Sequence, residues 1–108
     1  MTNNNSVSEL SGKEFNDYTK KGFVLIDFYA DWCMPCVMMA PIIDELSEKY
    51  GKKIKFGKIN IDDNHAIAEK FSIMSIPNFI LFKDGKKVEQ FIGSMPIESF
   101  EKKLGKFI

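Results

Sequence analysis

Arginine is absent from this chain of 108 residues, so all 15 cationic side chains are lysines, and 15 carboxylates balance them to a formal net charge of zero. Without the planar guanidinium fork, bidentate clamps for phosphate or carboxylate are missing. Zero net charge also removes the bulk attraction that draws proteins to nucleic acids and anionic membranes. Long apolar runs are lacking: the uncharged stretches Cys33 to Ile43 and Ser72 to Phe82 are each about half the roughly 20 residues a membrane helix needs. The opening Met1 to Ser6 is polar and has neither the basic region nor the apolar region of a secretory signal. No repeat, low-complexity tract or Pro/Gly linker divides the chain. Ten phenylalanines and 44% hydrophobic residues suffice for a core, which excludes a disordered chain. The expectation is a soluble, cytoplasmic monomer with residues 1–6 frayed and residues 7–108 forming one domain.

Cysteine is scarce as well. The only two, Cys33 and Cys36, share one short motif, whereas a secreted disulfide scaffold of this size carries four or more spread along the chain. A bridge over so short a loop constrains the unfolded chain by about 2 kcal/mol, against about 5 kcal/mol for a loop of about 100 residues. Stapling is a poor reason to keep this pair, and chemistry is a better one.

The pattern of elements places that motif. Ser11 with Glu14 reads as a capping box, with Leu10 able to staple onto Phe15, and the helix it opens ends near Gly22. Phe23 to Ala30 is a nearly continuous apolar run rich in β-formers, the signature of a strand covered on both faces. A long helix follows from about Met34 to Tyr50, with Pro41 inside it as an expected kink and Gly51 at its end. Lys53 to Ile61 alternates as a strand, and Asn64 to Phe71 reads as a short helix. Asn78 to Lys83 and Lys86 to Ile92 flank Asp84-Gly85 as a hairpin. Pro96 to Phe107 is an amphipathic helix, and a short strand is expected near Val7. A β-α-β unit joined through a helix to a β-β-α unit predicts an α/β fold: a central mixed sheet of four to five strands flanked by helices on both faces.

A Cys-x-x-Cys between a buried strand and a helix has a definite chemical meaning. At the helix N-terminus, free backbone N–H groups and the positive end of the macrodipole stabilise a Cys33 thiolate. Cys36 lies one turn on, on the same helix face. Cys33 is therefore expected to be the exposed nucleophile and Cys36 the resolving thiol behind it, with Pro35 stiffening the first turn. Half of a zinc site is the alternative, but two cysteines and the single His65 fall short of the four ligands structural zinc takes, so no metal is expected. His65 reads as a surface residue, and Met38 and Met39 as core filler.

Five strings carry a resemblance that spans essentially the whole chain. They are Ile26-Asp27-Phe28-Tyr29-Ala30-Asp31-Trp32-Cys33-Met34-Pro35-Cys36, Lys58-Ile59-Asn60-Ile61-Asp62, Ser75-Ile76-Pro77, Phe82-Lys83-Asp84-Gly85 and Ile92-Gly93. In this order and spacing they resemble the thioredoxin family. The resemblance implies a thioredoxin fold and a thiol–disulfide oxidoreductase that reduces disulfides in target proteins through the Cys33–Cys36 couple. It implies that Asp27, the only charge in its apolar strand, is buried and moves the proton of Cys36, and that Lys58 pairs with Asp27. Taken alone, Asp27 as a strand-end carboxylate is the lesser reading, because apolar residues continue on both sides of it, whereas Lys58 alone reads as a solvated strand lysine. The resemblance further implies that Pro77 is cis and packs beside the thiols, although most X–Pro bonds are trans. Ile76 would then present its backbone to an extended substrate. Trp32, Met34, Pro35 and Gly93 complete the implied substrate-binding rim.

Departures from the family pattern are Met34 for the commonest Gly, Tyr29 for a frequent Trp, Ser75 for Gly and Asn78 for Thr. None removes a reacting group. No bound cofactor is implied; a thioredoxin-reductase-type partner would supply electrons, and disulfide-containing proteins would be the targets. A disulfide-forming oxidant or isomerase, a glutathione-using relative, and a pure binding module with incidental thiols are the competing readings.

Overall fold

The computed structural model describes residues 7–108; the frayed segment expected over residues 1–6 lies outside the described residues. In chain order the elements are β1 (Val7–Glu9), α1 (Gly12–Thr19), β2 (Phe23–Tyr29), α2 (Met34–Tyr50), β3 (Ile54–Asn60), α3 (His65–Lys70), β4 (Asn78–Lys83), β5 (Lys86–Ile92) and α4 (Ile97–Leu104). The five strands form one sheet in the order β1-β3-β2-β4-β5. β1 and β2 run parallel to β3, while β4 is antiparallel to both β2 and β5. This is the mixed sheet that the alternation of elements predicts.

Strand periodicity sorts the apolar runs onto two faces. Val24, Ile26 and Phe28 of β2 join Ile80 and Phe82 of β4 and pack with Leu10 and Phe15 on the α1 side. Leu25 joins Phe56, Phe79 and Leu81 and packs with Met39, Ile43 and Leu46 of α2 and with Phe100 and Leu104 of α4. A strand sandwiched in this way has no polar face, which is why Phe23 to Ala30 reads as a continuous run. Asp27 falls on the α2 face by the same alternation, two residues after Leu25.

Local devices fix the ends of the elements. Glu14 Oε1 accepts from the backbone N–H of Ser11 at 2.8 Å, within a complete capping box at the start of α1. Asp84 and Gly85 both have positive φ, as a two-residue hairpin turn requires, and Asp84 Oδ1 accepts from the Gly22 N–H at 2.8 Å. α2 runs unbroken through Pro41, whose missing N–H leaves the Val37 carbonyl without its partner in the helix ladder. Met39 is buried whereas its neighbour Met38 is 68% exposed, so the two do not share a core role. Adjacent helix positions point about 100° apart, and only one of them can face the sheet.

Gly57 of β3 lies tightly under the side chains of Leu10, Tyr18 of α1 and Ile26 of β2. A Cβ there would sit 2.9 Å from Leu10 Cδ1, 3.1 Å from Tyr18 Cε2 and 3.2 Å from Ile26 Cδ1. Gly57→Ala is expected to destabilise the chain by about 1–3 kcal/mol through overpacking, read as a lower urea midpoint at unchanged slope. A midpoint equal to or above that of the parent would show that these three side chains yield freely.

Candidate redox site

β2 delivers the site and α2 begins it. After Tyr29 the chain turns through residues 30–33, closed by the Cys33 N–H donating to the Ala30 carbonyl at 3.2 Å. Cys33 is the N-cap of α2, in extended conformation, and Pro35 sits in the first turn. The Cys36 N–H donates to Cys33 Sγ at 3.2 Å, so an unpaired amide of the helix end is aimed at the sulfur. Cys33 and Cys36 are joined as a disulfide, with Cα atoms 5.2 Å apart. They cluster with Ala30, and Tyr29, Ile61 and Ile76 pack against them.

In this disulfide form Cys33 is not the exposed member of the pair: Cys33 is 4% and Cys36 6% exposed. Cys33 Sγ lies at the helix end, 3.8 Å from the Ile76 carbonyl oxygen. The two sulfurs differ in surroundings instead. Cys33 faces the loop of Ile76 and Pro77, while Cys36 lines a cleft of about 190 Å³ together with Asp27, Tyr29, Ala30, Asp31, Val37, Ala40 and Lys58.

The Ile76–Pro77 bond is cis, and the Pro77 carbonyl accepts from the N–H of Gly93, whose φ is +90°. Trp32 is 68% exposed, and its indole N–H donates to Asp62 Oδ2 at 2.9 Å, which holds the ring beside the disulfide instead of in the core. Met34 and Pro35 are exposed next to it. Two further apolar side chains were not singled out from the sequence: Met74, 91% exposed, and Ile92 line a groove with Ser75 and Asn78, the residues flanking Ile76 and Pro77. Their signal is weak but present, since Met74 stands in a loop, where no core face accounts for it. His65 is exposed at the start of α3. Among the described residues no group of three or more His, Cys, Asp or Glu is placed to hold a metal ion.

Asp27 is buried, and its Oδ1 has no hydrogen-bond partner. Burial raises its pKa from 3.8 to about 7, against a smaller lowering by the Lys58 charge and with small additions from Glu9 and Asp44. The expected Asp27–Lys58 ion pair is not made as a contact. Lys58 Nζ lies 3.9 Å from Glu9 Oε1, and Asp27 takes part in none of the ion pairs among the described residues. Glu9 and Asp27 flank Lys58 in one cross-strand row, and the contact is made with the half-exposed Glu9 carboxylate and not with the buried Asp27.

A dithiol–disulfide pair capping a helix at the end of a buried central strand defines a thiol–disulfide oxidoreductase. The thioredoxin family model matches residues 6–106. The chain is 38% identical over 103 residues to a thioredoxin of Bacillus subtilis, covering 95% of this chain and 99% of that protein. It is 38% identical over 102 residues to a thioredoxin of Listeria monocytogenes, covering 94% and 99%. A thioredoxin of Porphyra purpurea is 46% identical over 85 residues, 79% of each chain. The chain belongs to the thioredoxin family, and its activity is that of a protein-disulfide reductase. Among the described residues no helix is long and apolar enough to cross a membrane.

The Asp27 environment has a thermodynamic consequence. The folded chain holds this proton up to about pH 7, whereas the unfolded chain releases it near 3.8. Between those values rising pH therefore costs folded stability, and above them the cost is constant. Asp27→Asn is expected to match the parent in acid and to exceed it increasingly as pH rises, by up to about 4 kcal/mol at about pH 8. Urea unfolding across that interval checks it; a variant less stable than the parent at the alkaline end would mean that the carboxylate is well solvated or paired.

Proposed function

We propose that Cys33 attacks and Cys36 resolves. The observation that carries this reading is the position of Cys33 as N-cap of α2, with the Cys36 amide directed at its sulfur. In the reduced chain the Cys33 thiolate attacks one sulfur of a target disulfide. That S–S bond breaks, the other target sulfur leaves as thiolate, and Cys33 is bonded to the target. Cys36 then gives its proton to the Asp27 carboxylate and attacks Cys33 Sγ. The Cys33–target bond breaks, the Cys33–Cys36 bond forms, and the second target sulfur leaves and takes up a proton. The target gains two electrons and the pair loses two.

Asp27 suits the proton step because a group titrating near 7 both accepts and returns a proton at neutral pH. The cleft that Asp27 shares with Cys36 has room for a relaying water, which needs about 10–15 Å³. Ile76 and the cis Pro77 would align an extended target segment by backbone pairing, within a rim of Trp32, Met34, Pro35 and Gly93. Lys58 tunes Asp27 through space. A thioredoxin-reductase-type partner would return two electrons and two protons, and the chain would need no bound cofactor. Disulfide-containing proteins are the proposed targets of a cytoplasmic, monomeric carrier whose residues 7–108 are one domain.

Two substitutions test the roles. Cys36→Ser is expected to leave targets attached to Cys33 through a mixed disulfide that survives non-reducing electrophoresis. Cys33→Ser is expected to trap none. Equal trapping by both variants overturns the assignment.

The helix end yields a second test. Pro35→His places an imidazole beside Cys33 that carries positive charge near neutral pH. That charge favours the thiolate, which exists only in the reduced form, so the variant is expected to be the stronger oxidant. About 1.4 kcal/mol corresponds to roughly 30 mV for a two-electron couple, so the expected rise is some tens of millivolts. Equilibration against a glutathione buffer, followed by Trp32 fluorescence, measures it; an unchanged or lower potential would remove the thiolate from the account of redox balance.

A further inference from the structure

Glu9, Lys58 and Asp27 stand side by side on β1, β3 and β2, in register as Glu9↔Lys58 and Asp27↔Lys58. One ammonium thus lies between two carboxylates. The structure shows which it favours: Lys58 Nζ is 3.9 Å from Glu9 Oε1, and it also sits 5.6 Å from the centre of the Tyr29 ring. Glu9 itself is fixed, because the Tyr29 hydroxyl donates to Glu9 Oε1 at 2.6 Å. Tyr29 closes β2 just beyond Asp27 and lines the same cleft as Asp27, Lys58 and Cys36. A lysine held toward β1 leaves the cleft side of Asp27 without a cation in contact.

We propose that Glu9, anchored by the Tyr29 hydroxyl, is a positioning residue that holds Lys58 toward β1 and away from Asp27. The inference rests on the role given to Asp27 above, and it adds a regulator from a different strand. The charged and titratable groups facing Asp27 are Lys58 on β3, Glu9 on β1, Tyr29 on β2, Asp31 in the loop beyond it, and Asp44 and Cys36 on α2. Lys58 is the one cation among them, so its distance is the adjustable quantity. An opposite charge brought within about 4–6 Å of a carboxyl lowers its pKa by about 1–3 units. Both side chains of the Glu9–Lys58 pair are about half exposed, so replacing either leaves the core intact.

The experiment follows the Asp27 side-chain carboxyl by carbon NMR through a pH titration of the oxidised chain, in the parent, Glu9→Gln, Lys58→Gln and the double variant. Gln at position 9 keeps an oxygen for the Tyr29 hydroxyl but loses the charge that holds Lys58. With Lys58 present, Glu9→Gln is expected to raise the Asp27 ionisation constant about tenfold or more, as the freed ammonium turns toward it. In the Lys58→Gln background the same change is expected to have a much smaller effect, only that of removing a distant like charge. Equal shifts in the two backgrounds, or no shift in either, overturn the proposal. The pH profile of disulfide reduction is recorded alongside. A moved Asp27 midpoint with an unmoved profile would refute the proton role of Asp27 and leave the positioning by Glu9 standing.

Discussion

Burial of β2 on both faces is the constraint on which the site depends. Val24, Ile26 and Phe28 are held from one side and Leu25 from the other, so the strand has no freedom to shift in register or rotate. Its alternation fixes Asp27 on the α2 face, and its end fixes where the chain turns into α2. Cys33 therefore caps a helix that is itself clamped to the sheet by Met39, Ile43 and Leu46. The reacting sulfurs owe their position to apolar packing several residues away. A loosely held strand would leave both the N-cap geometry and the depth of Asp27 undefined.

Much of this was legible in the sequence because it is local. Capping residues, the Asp84-Gly85 turn and the apolar periodicities act within a few residues, and α2, β4 and β5 run as read. Helix α4 ends three residues before the expected Phe107, at Leu104, where the last buried position falls. Met38 and Met39 could not be told apart by composition, since which of them faces the sheet depends on the helix phase, and that is set by distant contacts. Cys33 reads as exposed from its place at a helix end, yet in the disulfide form it is buried, with Sγ 3.8 Å from the Ile76 carbonyl oxygen. The partner of Lys58 was the least legible feature. It depends on the pairing of β1, a three-residue strand with a single polar end, to β3, some fifty residues away in the chain. Nothing within reach of Lys58 in sequence announces Glu9.

The cleft beside Cys36 shows how a small set of charges is weighted by dielectric. Lys58 and Glu9 are half exposed, and a pair of that kind contributes about 0–1 kcal/mol to stability. Its weight lies elsewhere. Asp27 is buried, so each neighbouring charge acts on it through a poorly screening medium. A weak surface ion pair thereby gains influence over a strongly perturbed buried group without holding the fold together.

Two opposite electrostatic effects thus meet within ten residues of sequence, from Asp27 to Cys36. The helix end supplies unpaired N–H groups and a positive dipole, which favour an anion at Cys33. Burial at the strand supplies neither, and favours the neutral acid at Asp27. The proposed roles need such a separation of preferences, with one group as nucleophile and the other carrying a proton at the same pH. The separation needs the two environments to be close but distinct, and the strand–loop–helix junction provides that: the N–H donors converge on Cys33, while Asp27 stays one strand residue short of Phe28 and opens toward Cys36 through the cleft. A junction with Asp27 moved by one position would turn the carboxyl to the α1 face and away from the thiols. The strand's alternation, which reads as a simple apolar run, is therefore also what sets Asp27 in the cleft of Cys36, where the proposed proton transfer would occur.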